Sequence, residues 1–269
     1  MTPLWWRSRE MMNEPSDVTD AALSPRMAPR SLHFLITAGP TREAVDPVRF
    51  LSNRSSGKMG FAMAQAAAEA GHRVTLVAGP VALATPPGVV RCDVESADDM
   101  FRAVASVIAE ASAPVDVAIL AAAVADYRPV AVAAQKIKKH AGRLTLELER
   151  TRDILGSLRA PLGFTGVLIG FAAETENVLA HARDKLVRKG CDLIVANDVS
   201  RPGIGFDAAD NEVTLVFASG ELRPLPRAPK HTIARELVRV AAAAVPSSCH
   251  SDDAPPHRPS PALPAPDSP

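Results

Sequence analysis

Apolar positions along this chain follow two rhythms. Residues 33–37, 74–77, 89–94, 115–124, 167–171 and 193–196 are short runs with few polar interruptions. Runs of this kind fit parallel strands buried on both faces. Between them the spacing lengthens. Residues 58–70 are small or apolar with good helix propensity, and Gly71 supplies a left-handed cap. Met100, Phe101, Val104, Val107 and Ile108 share one helical face, as do Val178, Leu179, Ala182 and Leu186 in a helix over 176–189 that Gly190 stops. Ser96 and Asp99 resemble a capping box with Asp in place of Glu. Over 144–149 the period falls to two, which puts Leu144, Leu146 and Leu148 inward and Thr145, Glu147 and Glu149 outward. Residues 213–217 and 222–225 predict a closing hairpin around Ser219-Gly220, and 232–244 a last helix. Alternating strands and helices predict an α/β fold with a Rossmann-like, mostly parallel sheet flanked by helices.

The pattern also sets boundaries. Residues 1–31 contain Leu4-Trp5-Trp6 but no apolar run long enough for a signal-peptide core, and read as a disordered leader. Residues 32–245 form one domain, and the Pro- and Ser-rich 246–269 read as a disordered tail.

Polar residues collect where strands end. Gly39-Pro40 stops the first strand, and a long connection follows with Thr41, Arg42, Asp46, Arg49, Asn53 and Arg54. It leads to Gly57 and Gly60 at a helix start, where exposed amides and the helix dipole favour an anion. A P-loop is excluded, because Ser52 and Met59 stand where it needs Gly and Ser or Thr. The glycine spacing does match part of a dinucleotide-binding loop. Asp126 emerges after the run 115–124, at the strand end where open α/β sheets bind ligands. Lys136, Lys138 and Lys139 form a mobile cationic connection beside it, able to close over a triphosphate. Lys185 and Lys189 share one side of their helix, and Asn197-Asp198 end the last core strand.

Composition removes several function classes. With 30 basic and 30 acidic residues the formal charge is zero, so no general attraction to nucleic acid or an anionic membrane is expected. Cys92, Cys191 and Cys249 give neither a disulfide framework nor a zinc motif, and point to a reducing, cytoplasmic setting.

The run GPTREAVDPVRFLSNRSSGKMG, followed in order by AAVADYRP, KIKK, GFAAET and ANDVS, resembles bacterial phosphopantothenate-cysteine ligase. The resemblance implies amide formation between 4'-phosphopantothenate and L-cysteine, using CTP with Mg2+ and passing through an acyl-cytidylate. It implies Asn53 and Lys136 as catalytic residues, with Asn53 donating to the acyl oxygen and Lys136 on the triphosphate. The nucleotide would lie against Ala121, Ala122, Ala123, Asp126, Lys136, Asp153, Ile154, Phe171, Lys185 and Lys189. Arg49, Asn53, Gly57 and Gly60 would bind substrate, the glycines either holding its phosphate or positioning the loop, and Arg49 acting across a homodimer interface formed by a small β extension. Ligands of the metal are not named by it. In many relatives the ligase is fused to a flavin-dependent decarboxylase, so a separate decarboxylase chain is a possible partner. One departure stands out: Arg152 replaces the usual proline before Asp153-Ile154.

Two other readings compete. A short-chain NAD(P)-dependent reductase would use the same glycine turn, but needs a Tyr-x-x-x-Lys pair, and the only tyrosine, Tyr127, is followed four residues later by Ala131. A non-catalytic nucleotide-binding module would keep the glycines without a use for Asn53 and Lys136.

Overall fold

A computed structural model describes residues 30–110, 114–139, 141–200 and 208–246. Nearly all of the expected leader and tail, and residues 201–207 of the loop before the closing hairpin, lie outside the described residues. Contacts divide the chain after Arg30, and the fold belongs to the unit that begins at Ser31.

In chain order the elements are β1 (His33–Ala38), β2 (Arg42–Asp46), β3 (Arg49–Ser52), α1 (Lys58–Glu69), β4 (Arg73–Ala78), β5 (Val89–Asp93), α2 (Ala97–Glu110) and β6 (Val117–Leu120). Then come β7 (Tyr127–Pro129), β8 (Leu148–Arg150), α3 (Ile154–Ser157), β9 (Val167–Glu174), α4 (Val178–Lys189), β10 (Leu193–Asp198), β11 (Asp210–Phe217), β12 (Leu222–Pro229) and α5 (Lys230–Ala244). Eight strands form the main sheet in the order β12-β11-β10-β9-β6-β1-β4-β5. From β10 to β5 all neighbours are parallel; β11 and β12 close the other edge antiparallel. The α/β, Rossmann-like expectation therefore holds.

Alternation along the strands divides the core. In β1, Phe34 and Ile36 face the layer of α1 and α5, while Leu35 faces that of α2, α3 and α4. After β1 the chain runs outward through β4 to β5, then returns to β6 on the other side of β1. That reversal opens a crevice between the carboxyl ends of β1 and β6. Helix ends follow local rules. Ser96 Oγ accepts the Asp99 N–H while Asp99 accepts the Ser96 N–H, so the expected capping box is formed with Asp. Gly190 closes α4 in the left-handed region at φ 62°.

Two expectations require correction. The long connection after Gly39 contains a hairpin, β2–β3, rather than irregular loop. The alternating strand over 144–149 shrinks to β8, a three-residue strand paired with β7, and its leucines are not inward. Leu144 is 51% exposed and Leu148 43%. Such alternation would face inward on the main sheet, whereas this segment leaves it: Val130 N–H bonds to the Glu147 carbonyl, and Ala133 N–H to the Val45 carbonyl in β2. The two small sheets thus make one β extension beside the main sheet.

Candidate active site

The crevice at the β1–β6 reversal opens into a cavity of about 740 Å3, within the size usual for a small-molecule site. It passes over the carboxyl ends of the central strands. On one side stand Asp153, Ile154, Lys185, Arg188 and Lys189 of the α3–α4 layer; on the other, Gly57 to Gly60 and Lys230 at the starts of α1 and α5.

The floor is held by main-chain bonds. Ala121 N–H donates to the Thr37 carbonyl at 3.2 Å, Ala122 N–H to Thr37 Oγ1 at 3.2 Å, and Ala123 N–H to the Gly39 carbonyl at 2.9 Å. These three alanines line the cavity with their N–H groups already engaged, so a ligand meets their carbonyls and methyl groups.

Gly57 sits in the left-handed region at φ 74° just before α1, and Ser55 and Ser56 line the cavity beside it. Gly60 has a different role. A Cβ there would lie 2.4 Å from Ala38 Cβ, so its lack of a side chain lets α1 approach β1.

The opposite side is rich in cations. Lys185 is largely buried, and its Nζ donates to the Phe171 carbonyl at 2.7 Å. Burial lowers its pKa from the ordinary lysine value, against the pull of the Glu174 carboxylate. Lys189 pairs with Asp153, whose other oxygen accepts the Gly156 N–H at 2.9 Å and caps α3. Burial alone would raise the Asp153 pKa, but Lys189 and the Gly156 N–H outweigh it and leave the carboxyl below its usual range. Arg152, in the place of the expected proline, lays its guanidinium over the Phe101 ring at 4.2 Å. The Asp153 cap is formed all the same.

The structure gathers Ala121, Ala122, Ala123, Asp126, Asp153, Ile154, Phe171, Lys185, Lys189, Gly57 and Gly60 around this cavity. It does not bring Asn53, Lys136 or Arg49 to its lining. Asn53 Nδ2 donates to the carbonyls of Ala123 at 3.1 Å and Val124 at 3.0 Å, so its donor is engaged by the floor rather than turned outward. Arg49 Nε donates to Asp46 at 3.0 Å and its terminal nitrogen to the Ile137 carbonyl at 3.1 Å. Asp46 also accepts the Ile137 N–H at 3.1 Å, and Arg49 together with the Val48 and Ile137 N–H groups holds it far below the usual carboxylate range. The lysine segment, expected as a mobile connection, is thus tied to β2–β3 next to exposed Lys136.

Asn197, Asn211 and Lys230 are among the lining residues outside the expected set. Asn197 is the penultimate residue of β10, and among the described residues its Oδ1 is the buried side-chain oxygen that accepts no hydrogen bond. Asn211 and Lys230 are 3% and 7% exposed. The available signal for Lys230 was a cation in the first turn of a helix, where the dipole opposes it. Among the described residues no group of three or more His, Cys, Asp or Glu is arranged to hold a metal, and no helix is long and apolar enough to cross a membrane.

Residues 30–244 match the family described as DNA/pantothenate metabolism flavoprotein C-terminal domain. The chain is 50% identical over 212 residues to the coenzyme A biosynthesis bifunctional protein CoaBC of Bacillus subtilis, covering 78% of this chain and 51% of that protein. Against CoaBC of Escherichia coli K12 the identity is 46% over 223 residues, covering 80% and 54%. The chain thus spans about half the length of the curated relatives it matches. Among solved structures, the C-terminal domain of CoaBC superimposes with a TM-score of 0.66 at 44% identity, covering 80% of this chain and 96% of that one. A Cab2 mutant in complex with phosphopantothenate-cysteine shares the fold at a TM-score of 0.65 and 17% identity, covering 79% and 86%.

Proposed function

Because the chain belongs to the family of the DNA/pantothenate metabolism flavoprotein C-terminal domain, we propose that it joins 4'-phosphopantothenate to L-cysteine at the expense of CTP. The observation that carries this reading is the cavity itself. One crevice offers cations and helix amides to phosphate groups on two sides of a strand-end floor.

A carboxylate is a poor acyl donor because attack on it must expel oxide. Attack of the carboxylate on the α-phosphorus of CTP removes that obstacle and releases pyrophosphate. The cysteine amine then displaces CMP from the acyl-cytidylate. Lys185 and Lys189 neutralise phosphate charge, Asp126 and the Ala121 to Ala123 floor meet the nucleoside, and Asn53 anchors the floor at Ala123 and Val124. Lys136 reaches the triphosphate only by moving from its exposed position. Magnesium bound to the triphosphate oxygens would add charge neutralisation.

A homodimer, with Arg49 facing the partner's substrate, accords with the β extension. Val48, Phe50, Val132, Leu144, Leu146 and Leu148 expose apolar surface there. Sedimentation of wild type against Leu146→Asp tests it: two masses support the dimer, one monomeric mass for both removes it.

The decisive experiment is pyrophosphate release by purified protein with magnesium, phosphopantothenate and CTP or ATP, with and without cysteine. Cysteine-dependent turnover with CTP is the expected result. Tight CTP binding without release would replace the ligase by a binding module. Decarboxylation of the reaction product would follow, with a decarboxylase as the proposed partner.

A further inference from the structure

We propose, resting on the ligase reading, that Lys230 with Asn211 beside it binds the terminal phosphates of the nucleotide and receives pyrophosphate as it leaves. Neither residue belongs to the motif blocks, and both lie on the α1–α5 side of the cavity, across the strand ends from Lys185 and Lys189.

Topology puts them there. The strand β12 ends at Pro229, paired with Asp210 at the carboxyl edge of the sheet, so α5 begins at the same edge as α1. The two helices pack together in one layer, and neither start has a side-chain cap. Two positive helix ends therefore converge on one end of the cavity.

Lys230 is 7% exposed and opens α5, at the positive end of that helix. The Ala208 carbonyl anchors Nζ at 2.6 Å and fixes where the charge sits, at the cavity wall. An anion in the cavity would meet this ammonium and the two uncapped helix starts together. Asn211 contributes a second donor: among the described residues its Nδ2 contacts a weak acceptor, Met59 Sδ, at 4.0 Å, and exchange of a thioether for a phosphate oxygen is favourable.

The chemistry asks for charge at this place. As a carboxylate oxygen bonds to the α-phosphorus, the bond from that phosphorus to the bridging oxygen breaks, and its electron pair departs on pyrophosphate. No proton need move. Lys230 offsets charge that grows on the leaving group, which makes it a binding residue for the triphosphate and stabilises departure more than the ground state. With the nucleoside on the floor and the α-phosphate at Lys185 and Lys189, the rest of the phosphate chain crosses the strand ends toward Gly57 and Lys230.

The test compares CTP and CMP by titration calorimetry in wild type, Lys230→Met, Lys230→Arg and Asn211→Ala, with circular dichroism as a check of fold. Expected is a loss of CTP affinity of about tenfold or more in Lys230→Met, unchanged CMP affinity, and substantial recovery in Lys230→Arg. Equal losses for CTP and CMP, or no loss, would overturn the inference. If Lys230→Met does not fold, a crystal structure of wild type with a CTP analogue carrying carbon between the α- and β-phosphorus decides. Terminal phosphate oxygens within hydrogen-bond distance of Lys230 Nζ uphold it, and phosphates directed elsewhere remove it. Wild type that turns over while the variants match it defeats this inference alone; wild type that neither binds CTP nor releases pyrophosphate defeats the ligase reading.

Discussion

Lys189 on α4 pairs with Asp153, the residue that caps α3, so one ion pair joins two helices along one side of the cavity. Removing the carboxylate removes both contacts. Asp153→Ala should cost about 1 kcal/mol for the cap, with little more for a partly exposed pair, and lower the melting temperature by roughly 2–4 °C. CTP affinity should fall with it. Differential scanning calorimetry with and without CTP measures both, and an unchanged melting point would show that the cap contributes nothing.

Lys185 should make nucleotide binding sensitive to alkaline pH. Its folded-state pKa lies below the ordinary lysine value, so it loses its proton before an exposed lysine would. In that window the unfolded chain binds more protons than the folded one, and stability rises with pH. CTP affinity moves the opposite way, since the neutral amine no longer balances phosphate charge. Titrations between neutrality and about pH 10 should show this decline in wild type and not in Lys185→Arg. Parallel profiles for the two proteins would clear Lys185 of the effect.

Asn53→Asp replaces two donated hydrogen bonds by a carboxylate facing the Ala123 and Val124 carbonyls. The segment carrying Ser55 and Ser56 should shift, and amide formation should fall by about 10²–10³-fold. Cysteine-dependent pyrophosphate release reports it. Normal turnover in this variant would refute the role assigned to Asn53.

Gly60→Ala tests the packing of α1 on β1. The added methyl meets Ala38 Cβ at 2.4 Å, and the helix must move. A loss of about 1–3 kcal/mol in urea unfolding is expected. A variant as stable as wild type would mean that the contact relaxes freely.

How far the sequence could be read depended on what each signal measures. Buried parallel strands such as His33–Ala38 announce themselves because both faces are covered, and Ser96 with Asp99 announced a helix start because the exchange is local. The leucines at 144, 146 and 148 kept a faultless two-residue period, yet period says only that one face is apolar. It does not say what covers that face. The polar ends of β6 and β10 marked the cavity because strand direction alone sets that edge. Lys230 entered it through the packing of α5 on α1, a contact between residues far apart in sequence that no local motif encodes.

The carboxylate of Asp46 is shared. Its Oδ2 takes both the Arg49 guanidinium and the N–H of Ile137, the neighbour of Lys136, while its Oδ1 takes the Val48 and Arg49 N–H groups. A pull on Lys136 is therefore a pull on the hairpin, and the hairpin runs within one residue of Asn53. Occupancy of the nucleotide should be felt by the acid substrate through this rope, before any chemistry. Because the Asp46 pKa is depressed, the knot holds above the ordinary carboxylate range and slips only as pH falls through its lower value. Cut by Asp46→Asn, phosphopantothenate affinity should cease to depend on CTP; if the dependence persists, the message travels by another route.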